Sequence, residues 1–208
     1  MSDPQSVGRA LTGAAAVPEL PEATSPARGL AVVVMGVAGC GKTTVAAALA
    51  ERVGGSFIEA DALHTPAAVA QMRAGVPLTD VDRAPWLDRV AERMRDTAAI
   101  GYGPVFTACS ALRRSYRDQL RAGIGPGCAV VFVHLEVTRS ELAARISARP
   151  DHFMPVALLD SQLATLEPLG ADEPGLTIDG ALPESRLLDP IAAQVQRWRS
   201  AGGVFGAN

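Results

Sequence analysis

The stretch Gly36-Val37-Ala38-Gly39-Cys40-Gly41-Lys42-Thr43 satisfies the spacing G-x-x-x-x-G-K-[ST] at every fixed position. Glycines at these intervals let a chain curl until successive backbone N–H groups face one point, a cradle for phosphate oxygens. Lys42 has the length and charge to reach the β- and γ-phosphates of a nucleotide, and the Thr43 hydroxyl the position of a Mg²⁺ ligand. Thr44 is the next residue of the turn that follows. An ordinary glycine turn after a strand is the competing reading. Its weakness is the lysine: of 19 basic residues, Lys42 is the single lysine and the other 18 are arginines. A compact ammonium on a slim stem is kept at the one position that calls for it.

A second pair of groups follows at Glu59-Ala60-Asp61. Two carboxylates at i, i+2 on a strand point the same way. If the strand ends there, they lie where ligands bind in open parallel sheets, beyond the carboxyl ends of the strands. One carboxylate, Glu59, can hold Mg²⁺ or its waters. The other, Asp61, can accept the proton of an attacking hydroxyl. A solvent-facing acidic strand end is the bland alternative.

The surrounding elements put these groups in place. Leu30–Met35 is a continuous apolar run of the kind buried in a parallel sheet. A helix follows the glycine loop from about Lys42 to Val53, whose N-terminus adds dipole and free donors for an anion. Ser56–Glu59, Val105–Ala108, Ala129–Leu135 and Leu176–Ile178 read as four further strands. Helices are expected over Thr65–Ala74, from Pro85 in a first turn to about Ile100, and over Arg113–Arg121, Ser140–Arg149, Val156–Leu166 and Glu184–Arg199. Alternating strands and helices imply an α/β fold of the P-loop NTPase type, a five-stranded parallel sheet with helices on both faces.

Composition bounds the rest. The 208 residues, 48% hydrophobic and 20% charged, suit one globular domain. A net charge of −3 argues against a general nucleic-acid surface. No apolar run approaches the roughly 20 residues of a membrane span. Three widely spaced cysteines, Cys40, Cys109 and Cys128, do not form a disulfide framework, so a reducing, cytoplasmic setting is expected. Residues 1–29, rich in Ala, Pro, Gly and Ser, read as a disordered extension, 30–200 as the catalytic domain and 201–208 as a flexible tail.

A P-loop alone does not name a substrate. The short chain, without a guanine-reading N-K-x-D, favours a small kinase. Three stretches go further: Asp61-Ala-Leu-His64 with Met72-Arg-Ala-Gly75-Val-Pro77-Leu78-Thr-Asp80-Val-Asp82-Arg83-Ala-Pro85-Trp86-Leu87; Ala108-Cys109-Ser110-Ala111-Leu112-Arg113-Arg114-Ser-Tyr116-Arg117-Asp118; and His152-Phe153-Met154-Pro155 with Leu158-Leu159-Asp-Ser161-Gln162 and Leu166-Glu167. In order and spacing, over roughly residues 30–180, these resemble the gluconate kinase family. The resemblance implies transfer of the ATP γ-phosphate to the 6-hydroxyl of D-gluconate and a need for Mg²⁺. It also implies a sheet like that of shikimate and nucleoside monophosphate kinases, a mobile lid near 145–155 and a homodimer. The sequence departs from the family where Glu59-Ala60-Asp61 replaces Asp-Gly-Asp, where Thr65 separates His64 from Pro66, and where Ala68 and Gln71 replace Asn and Lys. The last two changes bear on which sugar acid is taken.

Gluconate carries a carboxylate, and arginine is its natural bidentate partner. Arg83, Arg114 and Arg117 are the candidates. Arg113, Arg117 and Arg121 are also spaced i, i+4, i+8, as a solvated helix face would be, so Arg114 and Arg117 stay open between the two readings. His64 either bonds a sugar hydroxyl or is a structural histidine; His152 is equally open, and His134 reads as structural. Arg145 and Arg149 flank the expected lid, where arginines stabilise transferring phosphate; the alternative is helix-end charge complementing the dipole. Trp86 reads as a core anchor. Within enzymes, the other reading is a kinase of a related sugar acid or of a shikimate-like metabolite. From a different class, a non-catalytic nucleotide sensor is opposed by the intact Lys42, Thr43 and Asp61.

Overall fold

The computed structural model describes residues 29–148 and 157–201. The expected N-terminal extension and the tail after 201 lie outside them, as do Arg149 and His152-Phe153-Met154-Pro155 of the expected lid.

Five parallel strands, β1 (Gly29–Met35), β2 (Ser56–Glu59), β3 (Val105–Ala108), β4 (Cys128–Glu136) and β5 (Gly175–Asp179), lie in the order β2-β3-β1-β4-β5. The helices are α1 (Lys42–Val53), α2 (Pro66–Arg73), α3 (Asp80–Ile100), α4 (Arg114–Ile124), α5 (Arg139–Ser147), α6 (Ala157–Thr165) and α7 (Glu184–Ala201). β1 is central, paired with β4 from Gly29↔Cys128 to Met35↔His134 and with β3 from Ala31↔Val105 to Val34↔Ala108. Gly29, expected in the extension, therefore begins the strand.

A strand buried on both faces reads as an unbroken apolar run because its alternate side chains serve two cores. Leu30, Val32 and Val34 join Leu49 of α1, Leu142 of α5, Leu159 of α6 and Ile191 and Val195 of α7. Ala31, Val33 and Met35 join Trp86, Leu87 and Met94 of α3 and Leu120 of α4. The sheet is thus a wall with a different helical layer on each side. Its carboxyl edge, where β1 passes into the glycine loop, lies between the two layers.

The start of α3 differs from the sequence expectation. The helix begins at Asp80, five residues before Pro85, because Thr79 caps it: the Thr79 Oγ1 accepts from the Asp82 N–H at 3.3 Å while the Asp82 carboxylate accepts from the Thr79 N–H at 2.8 Å. This reciprocal capping box satisfies donors that would otherwise be orphaned. Pro85 then sits inside the helix and removes the N–H that Val81 O would accept. Val81 is 82% exposed, so water can serve that carbonyl.

Candidate functional site

The glycine loop takes its shape from residues other side chains could not replace. Gly36 adopts φ 139°, and a Cβ there would lie 2.8 Å from Cys40 Sγ and 3.0 Å from Leu135 O. Gly41, at φ 102°, is the residue before α1, and no side chain caps that helix. The first-turn N–H groups of α1 are therefore left for a ligand rather than spent on a cap. Lys42 Nζ donates to Val37 O at 3.1 Å, folding the ammonium back over the loop. The Ala38 N–H donates to Gln162 Oε1 of α6 at 2.7 Å, which ties the outer corner of the loop to a helix 124 residues away.

The two carboxylates are not on one strand face, as their spacing implied. The chain leaves β2 at Glu59 and enters a 3-10 turn over Ala60–Leu63, which Glu59 caps by accepting from the Asp61 N–H at 3.4 Å. The pair therefore divides its work. Glu59 turns towards the loop, where its Oε2 accepts from Thr43 Oγ1 at 2.7 Å. Asp61 turns into the cleft that the loop borders. Burial pushes the Glu59 carboxyl above its usual range; the hydrogen bond from Thr43 opposes this and the neighbouring Asp61 charge reinforces it.

The cleft is open and holds about 840 Å³, solvent included. One side is Ala38, Gly39, Gly41, Lys42, Thr43 and Thr44; facing it are Asp61, His64, Arg83 and Tyr116, with Met72, Leu78, Trp86 and Leu112 supplying apolar wall. Ser110 and Gln162 complete it. The imidazole of His64 stacks on Trp86 with ring centroids 4.3 Å apart, and Trp86 Nε1 donates to Ala60 O at 2.8 Å, fixing the turn that carries Asp61. Burial lowers the His64 pKa; nearby Asp61 raises it, and Arg89 and Arg83 lower it further, so the ring is neutral at pH 7. Its Nδ1 is buried without a hydrogen-bond partner in the structure. Trp86 is thus both the expected core anchor and part of the cleft wall.

Arg83, from the second turn of α3, reaches the cleft and donates to Tyr116 Oη at 3.3 Å. The Tyr116 hydroxyl in turn donates to Asp80, which also pairs with Arg113 at 2.7 Å. The Thr79 cap matters here, because it places Asp80 and Arg83 one turn apart, both against Tyr116 of the cleft wall.

Two other arginines are not brought to the cleft. Arg114 forms a two-pronged pair with Asp172, at 2.9 and 2.7 Å, outside the cleft wall. Arg117 is fully buried against Glu173, with its guanidinium committed to protein acceptors. Neither is placed to meet a sugar acid, and the substrate role expected for them is withdrawn on that ground. Helical spacing could not reveal this, since the partners lie more than 50 residues away. Arg145 approaches the glycine loop from α5: its Nη1 donates to Gly180 O at 3.0 Å and to Cys40 O at 3.5 Å. The thiol of Cys40, within the loop, is 1% exposed. Ala68 and Gln71 do not line the cleft; Gln71 Nε2 donates to Pro77 O at 3.0 Å and braces the chain between α2 and α3. The polar cleft residues not anticipated as a site are Ser110, Tyr116 and Gln162. All three stand within the quoted motif stretches, which was the available signal.

A parallel sheet with a glycine-rich anion cradle at its carboxyl edge, and a carboxylate facing that cradle, defines a P-loop phosphotransferase. Residues 32–169 match the family described as AAA domain. A gluconokinase of Gluconobacter oxydans (strain 621H) is 50% identical over 165 residues, 79% of this chain and 90% of that protein. Among solved structures, a gluconokinase from Sinorhizobium meliloti 1021 superposes with a TM-score of 0.69 at 43% identity, covering 83% of this chain and 94% of that one. A sugar kinase from Janibacter sp. HTCC2649 gives 0.75 at 45% identity, covering 85% and 99%. The chain belongs to the gluconokinase family.

Proposed function

We propose that the protein transfers the γ-phosphate of ATP to the 6-hydroxyl of D-gluconate, giving 6-phosphogluconate and ADP. One observation carries the assignment of roles: Asp61, His64 and Arg83 face the glycine loop across a single cleft. The loop N–H groups and Lys42 hold the phosphates and offset the charge that builds on the γ-phosphoryl group. Arg83 takes the gluconate carboxylate with its planar fork, which points the far end of the chain at the loop. His64, held neutral, meets a sugar hydroxyl. Asp61 accepts the proton of the 6-hydroxyl as the new O–P bond forms and the bond to the β-phosphate oxygen breaks. Arg145 and Arg149 are assigned to the phosphate side; Arg145 stands next to the glycine loop but outside the cleft wall, and in this role it would turn from the Cys40 and Gly180 carbonyls towards the phosphates.

Mg²⁺ fits this site. Among the described residues no group of three or more His, Cys, Asp or Glu is arranged to hold a metal unaided. Mg²⁺ asks for less, one or two protein oxygens beside phosphates and water. Thr43 and Glu59, already 2.7 Å apart, are the oxygens that would hold it, and it would neutralise phosphate charge there.

Three buried, unbridged cysteines support a reducing, cytoplasmic setting, and no described helix is long and apolar enough to cross a membrane. A homodimer is part of the same reading, and light scattering at twice the 21.5 kDa chain mass is its test. The activity is tested by coupled ADP release with Mg-ATP and a panel of D-gluconate, other sugar acids, shikimate and AMP. Selective turnover of gluconate is the expected result. Turnover of another acid alone would keep the kinase and reassign its substrate; no turnover with intact ATP binding would favour a nucleotide sensor.

A further inference from the structure

Among the described residues, the most heavily bonded side chain does not line the cleft. Arg117 on α4 is 0% exposed, and so is its partner Glu173, just before β5. Its Nε and Nη2 donate to the two Glu173 oxygens, each at 2.7 Å. Its Nη1 faces three carbonyls, Ala111 at 3.2 Å, Leu112 at 3.3 Å and Glu167 at 3.2 Å, and its Nη2 also reaches Pro168 O at 3.3 Å. Glu173 is closed from its other side by Arg121, at 3.0 Å, and by the Gly170 N–H, at 3.0 Å. Every donor of the guanidinium thus ends on protein, and the carbonyls it gathers belong to two chain segments far apart in sequence.

The first of those segments is the turn that leaves β3. Ala111 there has φ 43°, the one non-glycine residue with positive φ among those described. It is 1% exposed, and an L-residue holds that conformation only where its surroundings impose it. Its neighbours Ser110 and Leu112 both line the cleft. The same turn is stitched to the phosphate side: the Cys109 N–H donates to Val34 O at 3.1 Å, and the Gly36 N–H, first in the glycine loop, donates to Ser110 O at 3.3 Å. The turn is therefore gripped at one end by the glycine loop and at the other by Arg117.

We propose that Arg117 and Glu173 are positioning residues for the transfer step. Together they clamp the strained Ser110–Leu112 turn so that the acceptor wall of the cleft keeps a fixed distance from the phosphate loop. This rests on the reading that the acceptor seats in this cleft. Phosphoryl transfer gains most of its rate from alignment, so a wall displaced by about 1 Å is enough to lose rate by two orders of magnitude.

The test uses Arg117→Lys, Glu173→Gln and Ala111→Gly in the full chain. Each is assayed well below its own melting midpoint for kcat, for KM with gluconate and for Mg-ATP affinity. Amide hydrogen exchange over 109–113 is followed alongside. Lysine keeps the charge but cannot bridge the carbonyls and Glu173 together. Glycine takes φ 43° at no steric cost, so Ala111→Gly, alone and in the Arg117→Lys background, relieves the turn without touching the buried pair, and the test survives a failure of the pair variants to fold. In Arg117→Lys and Glu173→Gln the expected result is a fall in kcat/KM for gluconate of about 10- to 100-fold, ATP affinity within about threefold of wild type, and faster exchange at 109–113. Ala111→Gly alone is expected to melt no lower than wild type, and in the Arg117→Lys background to restore part of the lost kcat/KM. A role in stability alone would lower the midpoint and leave kcat and KM of the folded enzyme unmoved. Folded Arg117→Lys or Glu173→Gln with wild-type kcat/KM, or with unchanged exchange at 109–113, overturns the proposal, as does an Ala111→Gly variant that melts below wild type. A wild-type enzyme that turned over no gluconate would instead count against the functional reading, while the exchange measurement still decides the clamp.

Discussion

In the proposed reaction Asp61 is the residue that takes up the hydroxyl proton. It sits in a one-turn 3-10 segment pinned from behind by the Trp86 indole. Replacing its carboxylate by an amide keeps the shape and removes the base. Asp61→Asn is expected to lower kcat by about 10² to 10⁴-fold with ATP binding intact, measured by steady-state assay beside nucleotide titration; full turnover would exclude Asp61 as base. Glu59 makes a contrasting case. Its folded pKa is raised by burial, so its proton is bound more tightly in the folded than in the unfolded chain. The contribution is present below the ordinary glutamate pKa of 4.5 and lost as pH rises through the folded value. At neutral pH the charged carboxylate is therefore a burden on stability. Glu59→Gln is expected to melt higher than wild type at pH 7.5, with the gap closing as the buffer is acidified, and to turn over more slowly because an oxygen beside Thr43 has lost its charge. A melting series from pH 4 to 8 reads the first, the coupled assay the second. The glycine loop was legible in the sequence because its spacing states its chemistry, and so was the place of Asp61 on the cleft; the division between Glu59 and Asp61 was not, because the chain leaves the strand between them. Arg114 and Arg117 were not, because whether an arginine meets substrate or a buried glutamate is set by partners at Asp172 and Glu173.

At the scale of elements, the apolar runs carried most of the information. β1 was readable from Leu30–Met35 because both faces of a central parallel strand are buried, and its flanking partners follow from the same rule. The two elements that escaped are the 3-10 turn, too short to show a period, and the true start of α3. Pro85 suggested a first turn, yet the Thr79–Asp82 box outweighs the hydrogen bond that the proline deletes. That box has a functional reach, since the start of α3 presents Arg83 to the cleft and Asp80 to the Tyr116 hydroxyl of its wall. Thr79→Ala is expected to cost about 1 kcal/mol, read by denaturant unfolding. The fraying belongs to the acceptor side, so KM for gluconate should rise while ATP affinity holds. An equal loss in both would argue that α3 does not position Arg83. Asp82, whose pKa is held down first by the Thr79 hydroxyl, adds a stabilising share that is present above the ordinary aspartate range and lost on acidification.

For the whole molecule, the strand order sets what must be held together. β3 and β5 stand on opposite sides of the β1–β4 pair, so the helix after β3 and the chain before β5 are joined by no strand pairing. The Arg117–Glu173 pair closes that gap, and the Glu167 N–H adds a bond to Leu112 O at 2.8 Å. Burial by itself would push the Glu173 carboxyl up. The Arg117 guanidinium, the Gly170 N–H and Arg121 outweigh it and hold the pKa at about 2. A carboxylate depressed in this way contributes stability that is complete above the unfolded value of 4.5 and drains away as pH falls towards 2. The shift corresponds to roughly 3 kcal/mol, on about 1.4 kcal/mol for each pH unit. Glu173→Gln cannot be charged at any pH, and it leaves Arg117 buried without its counter-ion. Its unfolding free energy at pH 7 should therefore fall well below that of wild type, by a few kcal/mol as for other half-removed buried pairs. The difference should narrow between pH 4.5 and pH 2, where the wild-type carboxylate itself takes up a proton. Urea unfolding of both proteins at several pH values measures it. A difference that stayed constant with pH would mean that packing around the glutamate, rather than its charge, joins the two halves of the sheet.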